Sequence, residues 1–500
     1  DQSRGAEVAV GDPEVAGLDP RQHLIDQGPL LSVGVFAWDD VDDQHGGRVE
    51  HHQGLSRQRR GAGRAGRRDA VLGAGQMVAV EDLGAVAGDR LGEGGAELMG
   101  AVVCGVQPSV RAAYLASLGE SAASLTALYE KLKGLEPGVC RAFVRDHAGR
   151  LAPLVRQLDA TLPQPVPGYR AKILDGNHLA GTEHRVPATR ITRAAALPGQ
   201  SLVVLDPAIM LVIDVVPCED AHAQERSLIG QVLPGVEPGD LWIADRNFCT
   251  TRLVFGTRAR GGSFLVRQHR STLSWTETTP WAEVGRVATG MVSEQTVTVT
   301  EADGSGAMTL RRIRLDLDQP TRDKEKELFL LTDVPRERAD ARTLADAYRK
   351  RWRLENVFQT LTEALVCEIN TLAYPKAALF GFSVALVAYN VLATVRAALR
   401  SEHGCEAVEA QVSNYHLANE VATTYEGMMI ALPPSEWAPL GRLSLTELAE
   451  FLREVARQAW LAKYPRTVRG PKKPPPKRTS GRTNHHVSTA RLLHKQIQQK

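Results

Sequence analysis

YRAKILDGNHL, residues 169–179, is a short apolar run that ends in a carboxylate, Asp175. DLWIADRNFC, residues 240–249, repeats the pattern and ends in Asp245. Between them, SLVVLDPAIMLVIDVVPCED (201–220) reads as two strands joined by a turn at Asp206-Pro207, and AQERSLIGQVL (223–233) as a helix. TRLVFGTRARG (251–261) is helical and SFLVRQ (263–268) is again a strand. A lone aspartate at a strand end is most often a turn residue. Two such residues on strands of this order ask for a third partner.

That partner stands in ADAYRKRWRLENVFQTLTEAL, residues 345–365. At about 100° per residue of helix, Tyr348, Arg351 and Glu355 fall on one stripe. Leu354, Phe358, Leu361 and Leu365 form an apolar stripe beside them, and Arg349, Lys350, Arg353, Asn356 and Thr360 occupy the far side. The spacing predicts one amphipathic helix carrying a hydroxyl, a guanidinium and a carboxylate together. Arg351 has two readings: a bidentate grip on phosphate, or an ion pair with Glu355.

The order β-β-β-α-β-α-β, with carboxylates ending the first and fourth strands, is that of a ribonuclease H-like core. In that fold the two strands are parallel neighbours, so both aspartates emerge at one edge. DGNHL (175–179), ADRNF (244–248) and YRKRWRLENVFQTL (348–361) resemble the DDE transposases of bacterial insertion sequences, in the family with the Tyr-x2-Arg-x3-Glu-x6-Lys signature, the insertion sequence four family. Tyr348, Arg351 and Glu355 match at the required spacing. Thr362 stands where the signature has lysine. The likeness runs from about residue 98, with VVCGVQPSVRAAY (102–114), to about 400.

The resemblance implies a transposase that cuts and joins double-stranded DNA, at the terminal inverted repeats of its element and at a target. It implies Asp175, Asp245 and Glu355 as catalytic carboxylates holding Mg2+, with Mn2+ able to substitute, and a homodimer on DNA in the bacterial cytoplasm and nucleoid. Hard cations prefer such oxygen donors, and two of them suit in-line displacement at phosphorus. Lys350 and Arg353, with Tyr348 and Arg351, are the expected contacts to DNA. A decayed copy that binds DNA or an intact partner without catalysis is the alternative, favoured by Thr362.

The family also carries a β-rich insertion, which MVSEQTVTVTEA (291–302) and TLRRIRLDL (309–317) would supply before the core resumes at ELFLLTDV (327–334). Trp275 and Trp281 lie there, and either could stack an unpaired base. Asn177 and His178 are loop residues beside the site or members of it. PSVRAAYLASLGESAASLTALYEKLKG (108–134) predicts a helix from about Ser109 to Ser117, a turn at Gly119 and a second helix opening near Ser124. That pattern fits a DNA-reading helix-turn-helix and a plain helical hairpin equally.

The expected organisation is residues 1–97 outside the fold, 98–165 helical and DNA-binding, and 166–270 the first part of the core. Then come the insertion at 271–326, the second part of the core at 327–400, a helical region at 401–462 and a basic tail at 463–500. With 43% hydrophobic residues and 24% charged among 500, the chain has ample material for a core. The net charge of +2 is uninformative, but residues 463–500 hold 11 Lys/Arg and no Asp/Glu, which draws such a tail to polyanions. Residues 1–100 hold 19 of the 44 glycines and no Lys, Thr, Asn or Tyr. A disordered arm and translation of a GC-rich gene in another frame both account for that. Six scattered cysteines without a CxxC pair suggest a reducing compartment and no zinc site. AALFGFSVALVAYNVLATV (377–395) approaches membrane-spanning length, but its alanines, Ser383, Asn390 and Thr394 suit a buried helix better. No cleavable signal peptide is visible, and no membrane partner is expected.

Overall fold

The computed structural model describes residues 95–117, 124–177, 179, 201–218, 225–268, 273–301, 304, 306–321, 324–369, 375–431 and 439–466. The anomalous first segment up to residue 94, Gly119, His178 and the tail from 467 lie outside these residues.

Among the described residues four helices come first: α1 (Gly95–Val103), α2 (Val110–Ala116), α3 (Leu125–Gly134) and α4 (Pro137–Gln157). Ser109 caps α2 by accepting from the Ala112 amide, and Ser124 caps α3 by accepting from the Ala127 amide. Both helices thus start where the sequence predicted. The face of α3 that bears Leu128 and Leu132 is buried in the main core.

The strands are β1 (Arg170–Asn177), β2 (Ser201–Asp206), β3 (Leu211–Pro217), β4 (Asp240–Ala244) and β5 (Ser263–Arg267), with α5 (Thr251–Arg258) between the last two. After them run β6 (Trp275–Glu277), β7 (Ala282–Val287), β8 (Gly290–Thr300), β9 (Ala307–Leu317) and β10 (Glu327–Thr332). All ten belong to one mixed sheet in the order β3-β2-β1-β4-β5-β10-β9-β8-β6, with β7 paired to β8. β1 is antiparallel to β2 and parallel to β4, and β4 is parallel to β5. The expected order of the first five strands is therefore present. Strands β6 to β10 continue the same sheet, because β10 bonds to β5 on one side and β9 on the other.

The described residues continue with α6 (Ala341–Arg349), α7 (Trp352–Glu363), α8 (Pro375–His403), α9 (Cys405–Gln411), α10 (Asn414–Ala431) and α11 (Leu445–Gln458). Helix α8 is apolar all round because it is covered all round, by α1, α3, α4, α11 and β3. By length and composition Lys376–His403 could cross a membrane, yet its most apolar window is entirely buried inside the molecule. Asn390, fully buried within it, explains the polar interruption. Its carboxamide accepts from the Val212 amide and donates to the Val212 carbonyl, both at 2.8 Å. β3 is the edge of the sheet, and Asn390 satisfies backbone groups that a further strand would otherwise have paired.

Two cores result. One face of the sheet, with Ala171, Ile173, Leu241 and Ile243, packs under α4, α6, α7 and α8. The other, with Leu174, Trp242 and Ala244, packs against residues 225–236, Phe248 and α5.

Candidate active site

In the β1–β4 pairing, Leu174 lies opposite Ala244, so Asp175 and Asp245 come next at the C-terminal ends of neighbouring parallel strands. Side chains alternate across a strand. Asp175 therefore shares a face with Ala171 and Ile173, and Asp245 follows Leu241 and Ile243, so both aspartates belong to the face covered by α7 and α8. Asp245 also caps a single 3₁₀ turn, Arg246–Phe248, by accepting from the Arg246 amide.

The stretch from Tyr348 to Glu355 is not one uninterrupted helix. α6 ends at Arg349 and α7 begins at Trp352, although Lys350 and Arg351 keep right-handed backbone angles. The joint is tightened: Arg351 donates to the Tyr348 carbonyl, Arg353 to that of Lys350 and Leu354 to that of Arg351, each at 3.0 Å. Such i→i−3 bonds wind the chain at three residues per turn and bring side chains three apart into line. Arg351 accordingly lies against Tyr348, its guanidinium 5.9 Å from the ring centroid.

From that joint the Arg351 side chain enters the site. One nitrogen, Nη1, donates to Asp175 Oδ2, and Nη2 donates to Glu355 Oε1 at 2.9 Å. Arg351 is only 8% exposed. Of its two sequence readings, the ion pair with Glu355 is the one formed, and it extends to Asp175. One guanidinium thus joins a strand-end aspartate to a helical glutamate 180 positions away.

One arginine is not enough for the charges around it. Burial pushes the Asp175 carboxyl up to about 7; Arg351 and the Gly176 amide oppose that rise, while Asp245 and Glu355 add to it. Burial also raises the Tyr348 hydroxyl far above its ordinary range, so it stays a hydrogen-bond donor. Among the described residues no three His, Cys, Asp or Glu side chains converge tightly enough to hold a metal ion. The donor set nevertheless fits a hard divalent cation: three carboxylates, one destabilised as an anion by its surroundings and by the other two.

Residues 168–391 match the family model of the transposase DDE domain. This match supports a DDE transposase and covers β1 to the middle of α8, including all three carboxylates. No curated protein matches the chain significantly.

Other residues of the matched region lie differently from the sequence expectation. Arg353, expected on an open face, is half-buried and donates to the Pro207 carbonyl at 2.7 Å, bracing the β2–β3 turn. Thr360 is buried, not exposed, and receives a hydrogen bond from Asn414 at 3.0 Å. Lys350 closes α6, and burial followed by the nearby Arg353 lowers its amine from the ordinary value. Thr362 is exposed on α7. Trp275 on β6 and Trp281 just before β7 have Arg312 at 5.1 and 5.2 Å from their ring centroids, so their faces are already engaged by a cation. Asn177 stands at the end of β1 beside Asp175, and its amide nitrogen is buried.

Two groups escaped the sequence reading. Arg246 and Arg267, at the ends of β4 and β5, are both paired with Glu325, which ties the strand ends to the chain entering β10. Glu225 receives a hydrogen bond from Asn247 at 2.9 Å. Its only trace in the sequence is Gly176, since glycine inside a strand marks a close approach of another group.

Proposed function

We propose that this protein is an insertion-sequence transposase with a ribonuclease H-like core interrupted by a β-rich insertion. It cuts and joins DNA at the terminal inverted repeats of its own element, as a homodimer in the bacterial nucleoid. The observation that carries this reading is that Asp175 and Asp245 follow adjacent parallel strands at one end of the sheet, where Arg351 joins Asp175 to Glu355 of α7.

Asp175, Asp245 and Glu355 would hold Mg2+ or Mn2+. Bound there, such ions supply Lewis-acid stabilisation of the charge that develops on the attacking and leaving oxygens of a phosphodiester. The chain's own residues do the rest. Arg351, once the carboxylates have another counter-charge, offers its bidentate fork to a phosphate. Tyr348, kept protonated by burial, donates a hydrogen bond beside it. Lys350 adds a cation at the rim, while Arg353 supports the site by holding the Pro207 turn. The helices at 110–134 are the region proposed to read the element's ends.

The test is a nicking assay with DNA carrying the element's ends and Mg2+ or Mn2+. Asp175→Asn or Asp245→Asn should abolish cleavage and leave metal-free DNA binding nearly intact. Cleavage by either variant at the wild-type rate would overturn the assignment.

A further inference from the structure

We propose that Glu225 is a positioning residue of this site, clamping the two strand ends that carry Asp175 and Asp245 from the opposite face of the sheet. The inference rests on the cleavage reading above. Because Asp175 faces the α7 side, alternation turns the next position, Gly176, toward the other core, with Leu174 and Ala244. A Cβ built on Gly176 would fall on the Glu225 carboxyl group. The carboxylate therefore lies flush against the β1 backbone, where any residue but glycine would displace it.

The same carboxylate reaches β4. Its Oε2 accepts from Asn247 Nδ2 at 2.9 Å, and Asn247 lies inside the 3₁₀ turn that Asp245 caps. Glu225 thus touches the residue after one aspartate and the residue two beyond the other. The mount is firm, since Leu228 and Ile229, which follow it, are buried with Phe248 in the second core. On the face away from Arg351 and Glu355, Glu225 acts through the strand ends and not as a further ligand. Rigid placement of the aspartates is worth much, because displacements of about 1 Å at a reacting centre cost on the order of a hundredfold in rate.

The experiment measures cleavage of end DNA by the full chain with Mn2+ across DNA concentrations, together with metal-free binding of the same DNA. Glu225→Ala should lower kcat by about tenfold or more, with KM and binding changed less than about twofold. Glu225→Gln, whose amide oxygen still accepts from Asn247, should return to within about threefold of wild type. Gly176→Ala meets only the flexible end of Glu225, so it should lose kcat like Glu225→Ala and keep its circular dichroism and melting curve. The double variant Glu225→Ala/Asn247→Ala should be no slower than the worse single one. Wild-type kcat in Glu225→Ala, a Glu225→Gln variant as slow as Glu225→Ala, or losses that multiply in the double variant would each overturn the clamp. Asp175→Asn is the control. If it cleaves, the cleavage reading itself falls; if it is inactive while Glu225→Ala is not, only the clamp falls.

Discussion

Two clusters of arginine and buried carboxylate at this sheet have opposite stoichiometry. Beyond β5 in the sheet one carboxylate, Glu294 of β8, sits between two guanidiniums: Arg311 of β9 donates to it at 2.8 and 3.0 Å, and Arg336 at 2.7 Å. The remaining Arg311 donors are taken by the Val334 and Ala339 carbonyls. Burial alone would raise the Glu294 carboxyl, but the two arginines hold it below its ordinary value. At the strand ends the ratio is inverted. One guanidinium serves Asp175 and Glu355, and burial, with Asp245 and Glu355 adding to it, pushes the Asp175 carboxyl up to about 7. The first cluster is complete and structural. The second is short of positive charge, which is the condition a divalent cation would relieve.

The largest effect separating the two should come from Glu294→Ala. It leaves Arg311 buried without its counter-charge, a change that costs about 3–5 kcal/mol in comparable sites. Denaturant midpoints should fall by that equivalent, equally with and without Mg2+. A loss that Mg2+ repairs would mean that the Glu294 cluster also serves the proposed metal site.

Arg351→Ala should behave differently. Its removal leaves carboxylates without a guanidinium, but Asp175, already pushed up to about 7, can take a proton. The loss in metal-free protein should therefore be smaller, about 2–3 kcal/mol. Mn2+ should then raise the melting temperature of the variant more than that of the wild type, because ligand binding stabilises by RT ln(1 + [L]/Kd) and the competing cation is gone. Equal Mn2+ shifts in the two proteins would break the comparison.

These two clusters also mark what the sequence could and could not disclose. The first five strands, their terminal aspartates and the helix starts near Ser109 and Ser124 were legible, because apolar runs and turn residues act over a few neighbouring positions. The fate of Arg351 was left open between phosphate and ion pair. The answer depends on a bond to Asp175, across a separation that no local pattern encodes, and on a tightened turn at Lys350 and Arg351 that simple helical spacing overlooks. The exposure expected for Arg353 failed for the same reason: its partner is the Pro207 carbonyl, on another element. Alternation identified β8 and β9 as strands but said nothing about their neighbours, so the single continuous sheet emerged only from the pairing of β10 with both β5 and β9.

A half-buried group with no full counter-charge of its own supplies a pH test of whether uncompensated burial governs stability here. Burial lowers the His147 ring on α4 to about 4; the Phe143 carbonyl and Asp146 oppose this, and Arg150 adds to it. The folded state then binds fewer protons than the unfolded one between about pH 4 and the ordinary 6.5. The contribution is fully present above that window and is lost as the pH falls through it. For a partly exposed ring the span is on the order of 1–2 kcal/mol. His147→Gln should flatten the fall in urea midpoint between pH 6.5 and 4 by that amount, and an unchanged slope would place the acid sensitivity elsewhere.

The smallest effect expected is a gain, at the rim of the charge-poor cluster. Thr362 lies two turns beyond Glu355 on α7, is exposed, and turns its hydroxyl back on the helix, donating to the Phe358 and Gln359 carbonyls at 3.1 Å. A hydroxyl spent on its own helix gives DNA no charge to bind. Thr362→Lys restores a cation at that position without disturbing a buried contact, whereas Thr362→Gln adds length alone. If α7 faces the DNA backbone, the lysine variant should bind end DNA more tightly by roughly 0.5–1.5 kcal/mol, the range for a partly exposed hydrogen bond to a charged group. The log–log salt dependence of binding should steepen by about 0.9, the signature of one more phosphate contact. The glutamine variant should show neither change. A Thr362→Lys titration that overlays the wild type at every salt concentration would mean that this rim of α7 does not approach DNA, and that Arg351 and Lys350 meet the phosphates from another side.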